Sequence, residues 1–338
     1  MQKGYLLLLF ICFFQSYSFG QKRYQFELFE QGNYLGYHFD DDFLFIANRD
    51  EQYTGGLEFE WIHKLKSTKL KRGICNPFQS SNRYFVMTFG TQLYTPYNLS
   101  DSLIILNDRP FSSYLFTSFG YTAYDVRKTQ KLTVDLYLGV MGSDFPGEVQ
   151  DYIHQFGDSP PANGWGNKLA AKETFIPNLR VNFQKNQLTI GPLYSSMIDW
   201  IQVTTVLELN AGCYLNAARG GLKFSGYNHQ PKSQSQLSYK TSPIARHRKS
   251  KWLMTTYFMP QLQIVGYNTS LQSLPWLSSP YQIEASIINR YVWILEAGIN
   301  LSYNRFNITY LVQSRTKEFN KYQHAWHSWG GITMGFTF

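Results

Sequence analysis

The last eight residues of the chain, GITMGFTF (residues 331–338), decide the fold: apolar residues alternate there with small or polar ones, and the chain ends on Phe338. A strand of a membrane β-barrel faces lipid on one side and the barrel interior on the other, so it requires this period of two. A strand of a soluble β-sandwich can alternate in the same way, but it seldom ends the chain on an aromatic residue. The segment therefore predicts the closing strand of an outer-membrane β-barrel.

The N-terminal segment predicts export. Lys3 precedes an apolar run over residues 5–14, and residues 15–20 lead into the polar residues 21–23. This pattern is typical of a secretory signal peptide, and the run is too short for a transmembrane helix, which needs about 20 apolar residues. We therefore expect a signal peptide over residues 1–20 and one barrel domain over residues 21–338, in the outer membrane of a Gram-negative bacterium.

The composition agrees with a barrel. Aromatic residues make up 17% of the chain and charged residues 16%, a mixture that lipid-facing strands and a polar interior produce together. The formal net charge of +8 favours polyanions, which for an exported protein means a phosphorylated lipid headgroup and no nucleic acid. Much of this charge also serves to solvate turns. Cys75 and Cys213 either pair in the oxidising periplasm or stay free thiols.

The pattern of strand-like segments predicts an all-β fold, a transmembrane antiparallel β-barrel of about 12 strands. An even number is required when both termini lie on one side of the membrane. The segment over residues 202–224 is hard to divide. The predicted strands cover residues 24–40, 53–63, 84–94, 111–121, 131–141, 174–183, 187–197, 202–224, 252–265, 282–303, 307–313 and 329–338. This assignment places three segments at the outer rim, over residues 41–52, 95–109 and 142–173.

Two of these outer segments carry residues capable of chemistry. Asp40, Asp41 and Asp42 are consecutive where the first strand ends, and like charges this close are either fully solvated or share a cation. A hairpin brings Thr54 back toward them. In the third outer segment, residues 148–154 have helical character, which predicts a short helix in an outer loop.

The helical segment contains a candidate catalytic histidine. His154 shares a helix face with Gln150, four residues earlier, and with Asp151, three residues earlier. A single histidine in a loop is normally a surface residue. Here the loop is long, carries Gly164 and Trp165, and folds over a rim that already offers carboxylates. These neighbours favour a catalytic role for His154.

Five short motifs resemble one known family. Residues 41–56 contain Asp41, Asp42, Phe43, Asp50 and YTGG, and they look like the Asn-Asp-x-Phe and Asp-x-x-Tyr-Thr-x-Gly signature of the lipid A 3′-O-deacylase (LpxR) family. The resemblance continues through residues 94–96 (YTP), 108–111 (DRPF), 148–154 (EVQDYIH) and 164–165 (GW). Each motif alone is weak, but five in order on a predicted barrel are specific. After about residue 185 the resemblance rests on barrel patterning and the terminal Phe338.

The resemblance implies a twelve-stranded barrel that hydrolyses an ester-linked 3′-acyloxyacyl chain of lipid A, within lipopolysaccharide, with Ca²⁺ as cofactor. His154 is then the general base that activates water, and Thr54 completes the pocket. Asp41 and Asp42 hold or orient the metal, with Glu148 as a third ligand. Such a scheme needs no serine or cysteine nucleophile, and the chain has no Gly-x-Ser-x-Gly elbow.

Two departures from the family pattern matter. Asp41 stands where the family has asparagine, which adds negative charge near the expected metal site. The family also places a lysine in the second outer loop, whereas residues 97–107 contain none. Arg109 and Lys168 are the candidates to replace it.

Two rival functions stay open on the sequence. The chain could be an outer-membrane acyl hydrolase acting on another lipid, or a non-catalytic barrel that serves as a channel or scaffold. The sequence leaves open which acyl chain is removed, whether the activity is latent in the native membrane, and the oligomeric state.

Overall fold

A computed structural model describes residues 33–45, 52–65, 78, 81–103, 105–106, 108–125, 128–154, 161–193, 197–229, 252–322 and 324–338. The expected signal peptide and Cys75 lie outside the described residues. Cys213 is half-buried and is a free thiol there.

The described residues form a closed barrel of twelve antiparallel strands, which confirms the predicted fold class. Each strand pairs with the next one in the chain, and β1 pairs with β12 to close the barrel. The strands are β1 (Tyr34–Asp41), β2 (Gln52–Lys64), β3 (Ser81–Thr95), β4 (Ser112–Asp125), β5 (Gln130–Met141), β6 (Thr174–Ile190), β7 (Trp200–Gly212), β8 (Leu215–Tyr227), β9 (Trp252–Asn268), β10 (Tyr291–Tyr303), β11 (Phe306–Thr316) and β12 (Trp326–Thr337).

Three of the predicted strands between residues 187 and 303 were wrong in their division or their start. Residues 187–190 do not start a separate strand but continue β6 beyond a bulge between Asn186 and Leu188. The stretch over residues 202–224 contains parts of two strands, β7 and β8, joined by a turn at Cys213 and Tyr214. The tenth predicted strand began too early, since residues 282–290 are a loop. The first two errors offset each other, so the strand number was still right.

Both ends of the described chain lie at one end of the barrel. The backbone groups of Asn33 and Phe338 exchange two hydrogen bonds of 2.9 Å. We call the opposite end the outer rim. The connections after β1, β3 and β5 lie there, together with α1 (Phe145–His154) and α2 (Thr269–Gln272). No helix among the described residues has the length and apolar character that crossing a membrane requires.

The two faces of the barrel wall differ in chemistry. Along β1 and β2 the apolar side chains of Leu35, Phe59 and Trp61 are exposed and face lipid. The alternate positions, such as Tyr34 and Glu58, are buried and face the lumen. Because the period is two, this assignment fixes the face of every residue in a regular strand.

Side chains fill the lumen near the outer rim. Tyr214, in the turn between β7 and β8, stacks on Tyr114 of β4 at 4.1 Å between ring centroids. Its hydroxyl also donates to the side-chain oxygen of Gln92 on β3. Burial raises the pKa of Tyr214 well above its ordinary value, so the hydroxyl keeps its proton. Since β3 and β8 are five strands apart around the barrel, Tyr214 bridges the lumen rather than lining it.

Candidate active site at the outer rim

The end of β1 separates the three consecutive aspartates. Leu35 faces lipid, so the period of two directs Asp41 outward and Asp40 into the lumen. Asp40 is fully buried, and its Oδ1 lies 2.8 Å from Nε2 of His38. Asp42 begins a 3-10 turn (Asp42–Leu44) and is 4% exposed. The three carboxylates therefore do not form one cluster, and Asp41 and Asp42 are left as candidates for a site outside the wall.

A β-bulge in β2 lies beside Asp41. The register between β2 and β3 shifts between Tyr53 and Gly55, so Thr54 is the extra residue. Gly55 pairs with Asp41 across the hairpin, and a Cβ atom added to Gly55 would lie 3.5 Å from Oδ2 of Asp41. The Asp41 carboxylate therefore lies over this glycine. The hairpin brings Asp41 and Thr54 to neighbouring positions.

The bulged threonine contacts a second threonine. The hydroxyl oxygens of Thr54 and Thr95 are 2.5 Å apart, and both side chains are buried. Thr95 belongs to the YTP motif, and no pattern in the sequence assigns it a role. The pairing depends on the register of β2 against β3 at the bulge, which hydropathy alone does not determine. Thr95 thus fixes the hydroxyl of Thr54.

Helix α1 is anchored to the outside of the wall through Trp165. The indole nitrogen of Trp165 donates a hydrogen bond of 2.8 Å to the side-chain oxygen of Gln150 on α1. The Trp165 ring packs on Phe111 at 5.2 Å, in a buried cluster that includes Leu93 of β3. Leu93 pairs with Gly55 and therefore lies on the same outward face as Asp41. The helix and the Asp41 carboxylate are consequently on one side of the wall.

The two candidate site residues of α1, His154 and Glu148, lie on different faces of the helix. His154 is half-buried, ends α1, and lies four residues after Gln150, so both share the face that meets the wall. Glu148 is exposed and lies two residues before Gln150, which is about 200° around the helix. Glu148 therefore faces away from the wall that carries Asp41.

The donor atoms near the bulge fit a hard cation by type. Asp41, Asp42 and Thr54 offer oxygen atoms only, and Ca²⁺ takes 6–8 oxygen ligands, which can include backbone carbonyls and water. The described residues contain no group of three or more His, Cys, Asp or Glu side chains arranged to hold a metal ion. The two aspartates could thus supply part of a calcium shell, with the remaining ligands drawn from neutral oxygen atoms.

Arg109, one candidate to replace the missing lysine, serves a buried ion-pair network instead. Its guanidinium is fully buried, forms an ion pair with Glu318, and lies 4.1 Å over the ring of Tyr94. It also donates to Ser270 Oγ at 2.8 Å. Burial tends to raise the pKa of Glu318, but the charges of Arg109 and Arg315 lower it to about 2. Nothing in the sequence around Glu318 signals this partnership, because 209 residues separate it from Arg109.

Lys168, the other candidate to replace the lysine, forms its ion pair at the N-terminal end of α1, whereas His154 lies at the C-terminal end. Its ammonium group forms an ion pair with Asp144, which directly precedes the helix. His154 is the last residue of the same ten-residue helix, about 14 Å farther along its axis. Neither candidate cation therefore lies beside His154.

Comparisons with known proteins agree with this architecture. The family model described as outer membrane protein LpxR matches residues 6–338. The solved structure of LpxR from Salmonella typhimurium superposes with a TM-score of 0.67 at 16% sequence identity, covering 90% of this chain and 100% of that one. The β-domain of the Bordetella autotransporter BrkA reaches a TM-score of 0.44 at 10% identity, covering 91% of this chain and 99% of that one. No curated protein matches the chain. Because the family model spans nearly the whole chain, including every motif at the outer rim, the chain belongs to the LpxR family of outer-membrane proteins.

Proposed function

We propose that this protein is a lipid A deacylase, which hydrolyses the ester-linked 3′-acyloxyacyl chain of lipid A in the outer membrane. One observation carries the proposal: Asp41, Thr54 and the His154-bearing face of α1 all lie on the outward side of the wall at the outer rim. That surface meets the lipopolysaccharide leaflet. A soluble substrate would instead be expected to reach a site inside the lumen.

In the proposed reaction His154 acts as general base. Its imidazole takes a proton from water as the water oxygen attacks the ester carbonyl, and the protonated ring then returns the proton to the alkoxide that leaves. The products are a fatty acid and a free hydroxyl on the lipid. Asp41 and Asp42 would hold Ca²⁺, which when bound supplies positive charge for the developing oxyanion. Thr54, fixed by Thr95, shapes the pocket.

The first test of the metal proposal uses Asp42→Asn. Removing one carboxylate charge from the ligand set is expected to raise the calcium concentration for half-maximal activity by at least about tenfold. Folding, followed by the heat-dependent mobility shift on gels, is expected to stay unchanged. Glu284→Gln, which removes an exposed carboxylate elsewhere on the outer rim, is the control. An unchanged calcium midpoint for Asp42→Asn would remove Asp42 from the ligand set.

The resemblance implies Glu148 as a third ligand, and Glu148→Gln tests that role in the same titration. Because Glu148 is exposed and faces away from the wall, we expect the calcium midpoint of this variant to match that of the wild type. A midpoint raised as far as that of Asp42→Asn would instead add Glu148 to the ligand set.

The threonine pair gives a second prediction. Thr95→Val removes the hydroxyl that fixes Thr54, and we expect kcat/KM for lipid A to fall about fivefold to tenfold. Thr91→Val is the matched control, because Thr91 lies on the same face of β3 and its buried hydroxyl has no hydrogen-bond partner among the described residues. Equal activity of the two variants would show that the pairing does not position Thr54.

The rival function of a channel leads to a different result in planar bilayers. Tyr214 bridges the lumen, and Arg180 forms a buried ion pair of 2.7 Å with Asp135 below it. We therefore expect no steady porin-like conductance from the wild-type barrel. Stable open-channel currents at low voltage would favour the channel. An acyl hydrolase for another lipid would be revealed by release of fatty acid from phospholipid but not from lipid A.

A further inference from the structure

A groove of about 810 Å³ lies on the lipid-facing surface of the barrel, toward the end that carries the termini. It is centred on β1, which has eight residues and is the shortest strand. Its lining comes from β9 to β12 on one side and from β1 to β3 on the other, and it includes Leu35, Phe59, Trp61, Leu301, Phe306 and Phe336. The candidate active site lies at the opposite end of the same strand.

The floor of the groove is formed by glycine backbone, and its sides are formed by aromatic side chains. Gly36 of β1 pairs with Gly335 of β12, and both line the groove. On the lumen side the ring of Tyr34 occupies the space that a side chain would need, since a Cβ added to Gly36 would lie 2.6 Å from Tyr34 Cε1. Phe306 and Phe336 form one side of the groove, with their ring centroids 4.8 Å apart. A floor of backbone between aromatic side chains makes a slot rather than a flat surface.

The length of the groove matches one leaflet of a bilayer. Phe59 lies five residues from the end of β2, and Met334 lies four residues from Phe338. At about 3.3 Å per residue along strands tilted by about 40°, both positions are on the order of 12 Å from the barrel end, measured along the membrane normal. Half of the apolar band of an outer-membrane barrel is also about 12 Å tall. The groove therefore spans the acyl-chain region of the leaflet on the terminal side.

A positively charged side chain, that of Arg305, lies at the end of the groove nearest the chain termini. Arg305 is exposed in the turn between β10 and β11, directly before Phe306. No carboxylate of the described residues, including the C-terminus, lies within ion-pair distance of the Arg305 guanidinium. A guanidinium at this level meets the phosphate of a lipid headgroup, because the aromatic girdle marks the membrane interface. The ring centroids of Trp252 and Tyr303, two residues of that girdle, lie 4.7 Å apart beside the turn.

We propose that this groove binds one glycerophospholipid of the periplasmic leaflet, with its acyl chains in the slot and its phosphate at Arg305. The site is separate from the deacylase site and does not depend on the proposed function. A bound phospholipid covers the floor of the slot, where the backbone of Gly36 and Gly335 faces lipid and the ring of Tyr34 fills the lumen side. It would act as a structural lipid of the β1–β12 seam.

The test is native mass spectrometry of the purified barrel released from detergent after incubation with phosphatidylglycerol. The wild type is expected to retain one phospholipid. Leu35→Trp fills the slot from the lipid side and should abolish retention, whereas Leu209→Trp, at an exposed lipid-facing position on β7, should not. Arg305→Gln should weaken retention about fivefold, and Lys128→Gln, in another exposed turn at the same end, should not change it.

Three results would overturn the proposal. Equal retention by Leu35→Trp and Leu209→Trp would mean that the slot is not the site. Equal retention of diacylglycerol and phosphatidylglycerol by the wild type would remove the role of the phosphate. A dimer mass that Leu35→Trp abolishes would identify the groove as an interface with a second copy of the chain.

Discussion

His154→Ala is expected to lower the deacylation of lipid A by at least about a hundredfold while the barrel stays folded, because general-base catalysis typically contributes a factor of 10²–10⁴. The side chain lies at the end of α1, on the helix face that Gln150 and Trp165 hold against the wall. Its removal takes away the proton acceptor without disturbing that anchor. The measurement is mass spectrometry of lipid A from cells that express each variant, with and without added calcium.

The controls for this experiment separate basicity from packing. His154→Gln keeps a polar side chain of similar size but cannot take the proton, so it should be as inactive as His154→Ala. His229→Ala, at the terminal end of the barrel, should keep full activity. Loss of one acyloxyacyl group with wild type and calcium, but not with His154→Ala, would support the mechanism. Substantial activity of a folded His154→Ala variant would rule His154 out as the base.

Glu318→Gln is expected to cost about 3–5 kcal/mol of stability, since it leaves the guanidinium groups of Arg109 and Arg315 without their shared carboxylate. Arg109 is fully buried, so water cannot take over the role of Glu318. The quantity to measure is the free energy of unfolding in urea, followed by the mobility shift on gels. Glu284→Gln, at an exposed position on the same rim, should change it little.

The same ion pair predicts how stability depends on pH. The pKa of Glu318 is lowered to about 2 in the folded protein, below its value near 4.5 in an unfolded chain. The carboxylate therefore stabilises the fold fully above about pH 4.5, and this contribution is lost as the pH falls toward 2. The difference in stability between wild type and Glu318→Gln should shrink over that range. A constant difference from pH 6 to pH 2.5 would contradict the assigned pairing.

The sequence predicted the barrel well because its strands obey a physical constraint that is visible locally. Lipid on one side and lumen on the other impose a period of two, and twelve such segments could be counted. The predicted boundaries around β6 to β8 were wrong because they relied on the same local signal. Apolar and polar residues alternate in the same way before and after the two-residue turn at Cys213 and Tyr214, so alternation alone does not reveal that turn. Beyond the end of β6, Gly191 and Pro192 fall within the predicted strand over residues 187–197 and mark the loop that was missed.

The geometry of the candidate site was predictable only in part. The motifs identified Asp41, Asp42, Thr54 and His154 as residues to examine, but they did not show that Asp40 faces the lumen beside His38. The bulge at Thr54 and the contact with Thr95 depend on strand register. The partnership of Arg109 with Glu318 joins distant parts of the chain, and no local pattern predicts such a contact.

The outward position of Asp41 and α1 has a consequence for kinetics. An enzyme whose pocket opens sideways into a leaflet meets its substrate by lateral diffusion, so its rate follows the mole fraction of lipid A in the surface rather than its bulk concentration. Diluting lipid A with inert detergent or phospholipid in mixed micelles should therefore slow turnover even when the total amounts of lipid A and of protein in the tube stay constant. Under the proposed function, the membrane is the substrate reservoir of this barrel, and its composition sets the working rate.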